Sequence, residues 1–293
     1  MARGNLEIMV LLREVCDPRP PAQIAPGGMM IRERGLRRIV NPADMEALEC
    51  ALELQDMGLA SVTTVAVGPD RMEDTLRMSL AMGAKRAIRV WDPAFEVEQA
   101  LTDACLYKQL LKILCPSTAF TGARLLDRGD EPSLALAAAG LGMCYCPAVV
   151  TLDLGIATIT VVKKSDRGGR EKLSVAMPCV LLFEAGFRVP RYAGLDSILA
   201  SLEAHVETWG LPELGLSTGQ AGDKAAALQV VSYGFPRPAP IRVPTPAADL
   251  PAFERIMALL SGGIRLREGK MHVENAEETV EGLLAIFRRE GLV

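Results

Sequence analysis

Over the first 140 residues, apolar and polar positions group into blocks that alternate between two periodicities. "LEIMVLL" (Leu6 to Leu12) is a short continuous apolar run of the kind that fills a buried strand. "CDPRPPAQIAPGGM" follows, with too many breakers for a regular element. "NPADMEALECALELQDMG" then places Met45, Leu48 and Leu52 on one helical face. Asn41 suits its N-cap, Pro42 its first position, Asp44 a capping-box acid and Gly58 its stop. Ser61 to Pro69 reads as a β-branched strand, and "DRMEDTLRMSLAMG" as a helix that aligns Met72, Leu76 and Leu80 and ends at Gly83. "RAIRVWD" predicts a third strand, Glu96 to Gln109 a further helix, and "LLKILCPS" (110–117) a fourth strand. "TGARLLDRGDEPSLAL" (Thr121 to Leu136) is a glycine turn, a carboxylate, a polar loop and an apolar helix.

This alternation predicts an α/β fold, a Rossmann-like parallel sheet with helices on both faces. Ligands of such sheets bind beyond the carboxyl ends of the strands, here residues 13–17, 67–70 and 117–133. From Ala148 the texture changes to three β-rich runs with a Gly-Gly turn between the last two, a hairpin appended to the sheet. "LDSILASLEAHVETWG" predicts a helix with Leu195, Ile198, Leu199, Leu202 and Val206 on one face. Residues 211–250 lose periodicity and turn proline-rich. The closing "NAEETVEGLLAIFRREGLV" has acids at its start and Arg288–Arg289 at its end, the orientation that a helix dipole favours. The expected division is a main domain at 1–235 and a C-terminal arm and helix at 236–293.

Composition narrows the chemistry. Apolar residues make up 49% of the 293, charged ones 23%, enough for a sizeable core. Aromatics at 4% and a formal charge of −4 argue against nucleic acid. No apolar run spans a bilayer, and Glu7 and Arg13 interrupt the one segment that resembles a secretory signal, so a cytoplasmic protein is expected. Seven scattered cysteines without a C-x-x-C pair read as small hydrophobes, not as metal ligands. "AAAGLGMCY" lacks a third glycine, and "GIRLREGKM" has the wrong spacing and no hydroxyl for a P-loop. No Ser/His/Asp or Cys/His set stands out, so catalysis by this chain's own side chains has little support.

The segments "REVCD", "NPADMEALECALEL", "VAVGPDRMEDTLRMSLAMGAKRAIRVWD" and "VPRYAGLDSILAS" together resemble the β subunit of electron-transfer flavoproteins. The hairpin "VVKKSDRGGREKLSVAMPCVLL" and Pro190-Arg191-Tyr192 carry further family hallmarks, and the likeness covers roughly residues 6–210. It implies an adenine-nucleotide α-hydrolase-like domain paired with an α subunit as a heterodimer. FAD would be held mainly by that α subunit, and this chain would be an electron carrier subunit, not an enzyme. Electrons would pass from a flavin dehydrogenase to a quinone reductase or another acceptor, without nucleic acid or membrane insertion. The proline-rich arm and last helix would dock on the partner subunit.

The resemblance further implies a buried AMP in this chain, replaced by a second FAD in electron-bifurcating members that also take NADH. Carried over by position, its contacts are Leu11, Asn41, Asp44, Val67, Gly122, Arg124, Asp127 and Ser133. The family's loop has Gln where Arg124 stands, and Gln, then Thr or Val, then Gly where this chain has Pro132-Ser133-Leu134. One backbone donor is thereby lost, and a side chain stands where glycine admits a phosphate. Arg124 or Arg128 offers compensating charge, whereas Asp130 or Ser133 alternatively just caps the helix. Pro190, Arg191, Tyr192 and Leu195 match the family's dehydrogenase-docking segment, although Leu195 equally begins the helix's apolar stripe. The family's lysine-rich run is absent after it, so a different dehydrogenase is expected. A universal-stress-type nucleotide-binding module is the rival from another class.

Overall fold

The computed structural model describes residues 5–20, 36–95, 100–155, 158–217, 246, 249–260 and 275–289. The chain divides into two units, Met1–Gly234 and Phe235–Val293. In the first, β1 (Leu6–Leu12), β2 (Glu14–Cys16) and β3 (Arg38–Val40) precede α1 (Pro42–Asp56), β4 (Ala60–Val67), α2 (Met72–Met82) and β5 (Arg86–Val90). Next come α3 (Ala100–Leu114), β6 (Thr118–Gly122), β7 (Arg124–Leu125), β8 (Gly129–Asp130), α4 (Ser133–Ala139), β9 (Cys144–Leu154) and β10 (Thr158–Lys164). The unit continues with β11 (Arg170–Ala176), β12 (Cys179–Phe183), α5 (Leu195–Glu203), β13 (Glu207–Trp209) and α6 (Leu211–Leu214).

The Rossmann-like sheet expected from the alternation is the sheet observed, in the order β11-β10-β9-β12-β6-β1-β4-β5-β13. From β9 to β13 every neighbouring pair is parallel; β10 and β11 add antiparallel strands at one edge. After β1 the chain proceeds through β4 and β5 on one side, then crosses to β6 and β12 on the other. The switch point therefore lies between the carboxyl ends of β1 and β6, where a ligand crevice forms.

Strand alternation sorts the core into two layers. Ile8, Val10 and Leu12 of β1 face α1 and α2, where Leu48, Leu52, Met72 and Leu76 cover them. Met9 and Leu11 face the opposite way, under Leu106, Leu110 and Leu134 of α3 and α4 and Leu211 of α6. β12 does the same with Cys179, Leu181 and Phe183 on one face and Val180 and Leu182 on the other. Helix α2 stops at Gly83, whose φ of +120° suits a residue without a Cβ.

Three expectations need correction. "LLKILCPS" is not a strand: α3 runs through to Leu114, and β6 starts at Thr118. Leu106, Tyr107, Leu110 and Leu111 are all buried, a helical spacing of i, i+1, i+4, i+5 that a strand would split between two faces. The appended hairpin is β10–β11 alone, because β9 and the doubly buried β12 belong to the parallel sheet. The helix after Gly194 ends at Glu203, because Arg77 of α2 donates to the carbonyls of Ser201, Leu202 and Ala204 (2.9, 2.9 and 3.0 Å). A guanidinium satisfies the last carbonyls of a helix in this way, and β13 follows.

The second unit contains α7 (Ala252–Leu260) and α8 (Ala276–Arg289). The Asn275 side chain accepts the Glu277 N–H at 2.8 Å, an N-cap bond. Among the described residues, no helix is long and apolar enough to cross a membrane. The P-loop-like "GIRLREGKM" lies outside the described residues.

Two outcomes follow from this packing. Leu110→Ala removes a fully buried side chain and lowers stability by about 2–5 kcal/mol, read by urea unfolding. Hydrogen bonds from Arg86 at 2.6 and 2.7 Å hold Glu207 of β13 against β5 and displace its carboxyl below the usual range. A lowered folded-state pKa stabilises above the unfolded value and is lost as pH falls through the folded one. The stability difference between wild type and Glu207→Gln is therefore present at neutral pH and vanishes below the ordinary carboxylate value of 4.5, as a pH series of unfolding curves would show.

Candidate functional site

The carboxyl ends of β1 and β6 are joined by one buried carboxylate. Asp44, on the first turn of α1, is fully buried. It accepts the Arg13 backbone N–H (2.9 Å), Arg13 Nε (3.0 Å) and Arg13 Nη2 (2.6 Å). It also accepts Asn41 Nδ2 (2.9 Å), Thr121 Oγ1 (3.1 Å) and the Gly122 N–H (2.8 Å). Arg13 Nη2 donates once more to the Gly122 carbonyl at 2.7 Å. Burial pulls the Arg13 pKa down, but the facing carboxylate outweighs it and the net displacement is upward. Gly122 is required by the close approach, since a Cβ there would stand 2.5 Å from the Ala43 Cβ and 2.8 Å from Asp44 Oδ1.

This network replaces the capping role expected of Asn41 and Asp44. Asn41 stands at the N-cap of α1 without a side-chain capping bond. Its amide bridges to the far loop instead, donating to the Arg124 carbonyl (3.0 Å) and accepting the Leu126 N–H (3.2 Å). The stronger ligand for Asp44 is a guanidinium 31 residues away, which local sequence spacing does not reveal.

Above the network lies a cleft of about 580 Å³. Trp91, Phe95 and Tyr107 supply aromatic wall, and Val67, Gly68 and Pro69 close the β4 side. Its arginines are ion-paired within the chain. Arg13 faces Asp44, Arg71 and Arg38 converge on Glu14 (2.7 and 3.5 Å), and Arg128 lies 3.6 Å from Asp127. Glu131 also lines the cleft.

Of the eight residues expected around a nucleotide, Val67 lines this cleft. Leu11 is in the core layer beneath α3 and α4, and Asn41, Asp44 and Gly122 belong to the buried network. Asp127 accepts the Cys16 N–H at 2.9 Å, and exposed Arg124 pairs with Asp130 at 3.0 Å. Ser133 is buried at the start of α4, where its N–H donates to Glu131 Oε1 at 2.8 Å and its hydroxyl to the same oxygen. Neither Asp130 nor Ser133 caps that helix, as the sequence suggested; the acid two residues ahead takes the free N–H. Arg13, Glu131 and the three aromatics were not singled out from sequence, because they come together from the residues just after β1 and β5, the β5–α3 connection, α3 and the β8–α4 loop only in the fold.

The four residues expected at a docking face form a segment anchored at one point. Arg191 donates to Glu49 and pairs with Asp56 of α1 (2.9 and 2.8 Å). Pro190 is half-buried beside it, while Tyr192 is 100% exposed and Leu195 71% exposed. Leu199 and Leu202 of α5 are exposed as well, so the helix's stripe is not core. The cysteines divide: Cys50 and Cys179 are buried, with thiols pushed up to about 12 and about 11 chiefly by burial, whereas Cys115 and Cys144 are exposed, so the reading as small hydrophobes does not extend to these two.

Comparison with known proteins gives one consistent answer. A family model described as "Electron transfer flavoprotein domain" matches residues 28–214. Protein FixA of Azorhizobium caulinodans is 31% identical over 72% of this chain and 77% of its own. The mitochondrial electron transfer flavoprotein subunit beta of Arabidopsis thaliana is 30% identical over 71% and 83%. The electron transfer flavoprotein subunit beta of Methylophilus methylotrophus is 27% identical over 74% and 84%.

Asp44→Ala strands the Arg13 charge and costs about 3–5 kcal/mol of stability, measured by denaturant unfolding. Adding Arg13→Met to that variant recovers part of the loss, because no uncompensated buried charge remains. A loss within experimental scatter would show that the network does not hold the two strand ends.

Proposed function

Because the chain belongs to the electron transfer flavoprotein family, we propose that it is the β subunit of a heterodimer whose α subunit holds most of an FAD. The pair carries electrons from a flavin dehydrogenase to a quinone reductase or another acceptor, in the cytoplasm. β-type members of this family are electron carriers. The bound flavin supplies the redox chemistry; this chain supplies position, electrostatics and docking surface.

The observation that carries this reading is apolar surface left uncovered on helices of both units. In α7, Phe253 and Leu260 are 73% and 76% exposed, with Ile256, Met257 and Leu259 beside them. In α8, Val280, Leu283, Ile286 and Phe287 are exposed. Each large side chain gains about 1.5–3 kcal/mol on burial, and clusters of them mark interaction surfaces. We assign the α7–α8 faces of the arm (236–293) to the α subunit. Tyr192, Leu195, Leu199 and Leu202 we assign to the donor dehydrogenase.

The ion-paired cleft supports a carrier rather than a catalyst, since its described arginines are committed within the chain. A bifurcating member needs a second FAD, with its phosphates, in this cleft. The start of α4 disfavours it, because Pro132 has no N–H and the Ser133 N–H is taken by Glu131. The family match likewise favours a carrier over a universal-stress-type module.

Co-expressed with an α-type flavoprotein subunit, the chain is expected to purify as a yellow pair with one flavin. Two flavins per pair would favour bifurcation, and a colourless single chain that turns over a metabolite unaided would contradict the assignment. In the yellow pair, Leu195→Ala slows flavin reduction by the donor dehydrogenase about tenfold and leaves flavin content unchanged. Loss of flavin without loss of rate would place Leu195 at the wrong interface.

A further inference from the structure

We infer that Glu131 occupies the phosphate position of the cleft with the chain's own carboxylate, and that this makes the chain reject phosphorylated nucleosides such as AMP. The inference rests on residue geometry and is independent of whether the protein transfers electrons.

A phosphate needs free donors and an approach path. The start of α4, which follows cleft-lining Glu131, offers neither. Pro132 contributes no N–H, and the Ser133 N–H and hydroxyl both donate to Glu131 Oε1. Leu134 is buried in the core layer, so the next turn of α4 is closed by side-chain packing. The positive charges that would draw an anion are committed within the chain. Arg13 is held by Asp44, Arg71 and Arg38 by Glu14, and Arg128 lies next to Asp127. Arg124, exposed on β7, pairs with Asp130 at 3.0 Å. The residues present therefore do not fit the AMP that the family resemblance implies.

What the cleft retains is the wall a nucleoside or other uncharged ring would use. Trp91, Phe95 and Tyr107 line it beside Val67. Tyr107 is deeply buried and, chiefly for that reason, its phenol is held well above its ordinary pKa, so it presents a neutral ring to the cleft. Glu131 is thus a specificity-determining residue. It satisfies the helix start internally and sets a like charge against any anionic ligand.

The test uses the full-length chain with whatever subunit co-purifies. Denaturing extraction of the wild-type protein, followed by chromatography, is expected to release no AMP beyond trace. Titration calorimetry and thermal shift are then run with AMP, inorganic phosphate and adenosine. Wild type is expected to show no response to AMP or phosphate. Glu131→Ala frees the Ser133 donors and removes the charge, and is expected to bind AMP at least about tenfold more tightly than wild type, with adenosine binding unchanged. Stoichiometric AMP from wild type, or equal AMP affinity in both proteins, overturns the proposal. So does a folded Glu131→Ala that gains nothing, because exclusion would then lie elsewhere. The extraction decides the matter even if the variant does not fold.

Discussion

One buried ion pair sets the geometry of everything above the sheet. Asp44 takes six hydrogen bonds from Arg13, Asn41, Thr121 and Gly122. In doing so it ties β1, α1 and β6 together at the switch point. At a switch point the connections that follow two neighbouring parallel strands leave to opposite sides, which opens a crevice beyond their carboxyl ends. Many such proteins let a ligand bridge the gap. Here the guanidinium spans it, with the Gly122 carbonyl as its last acceptor. A charge pair so enclosed contributes little net stability relative to an apolar pair, but it fixes one arrangement, since any other leaves a charge stranded.

That floor, and the internal bonding of Glu131 beside it, engage the polar groups around the cleft within the chain. The cleft has an aromatic wall, while its arginines are ion-paired within the chain. The surface shows the opposite economy. The Pro190–Leu195 segment is pinned through Arg191 to Glu49 and Asp56, and α5 is pinned through Arg77, yet both present apolar side chains outward. Rigid anchoring beneath an exposed apolar face preorganises a surface for a partner and lowers the ordering cost of binding.

The sheet and its two layers were legible in sequence because short apolar or β-branched runs alternate with segments of period 3.6 between Leu6 and Gly83. Residues 110–117 were misread because a short apolar run has no period of its own, and the preceding turns of α3 decide it. β12 looked like a hairpin arm because nothing local says that Cys179–Phe183 is buried on both sides. The site was harder still. Asn41 and Asp44 look like helix caps, and only the return of β1 beside them supplies the stronger partner. Glu131 was hidden by a neighbour with better capping credentials, Ser133, which turns out to donate rather than accept. The segment expected to dock stood out because Pro190-Arg191-Tyr192 is a contiguous pattern; the exposure of Tyr192 and Leu195 was not legible.

The most direct measurement of the central claim is hydrogen–deuterium exchange on the full-length chain, alone and bound to an α-type flavoprotein subunit. The account predicts that amides of 252–260 and 276–289 gain protection on pairing, while those of 195–203 keep the exchange they have in the free chain. Unchanged exchange in both C-terminal helices would mean that no such subunit covers them, and the chain would not be half of a flavoprotein.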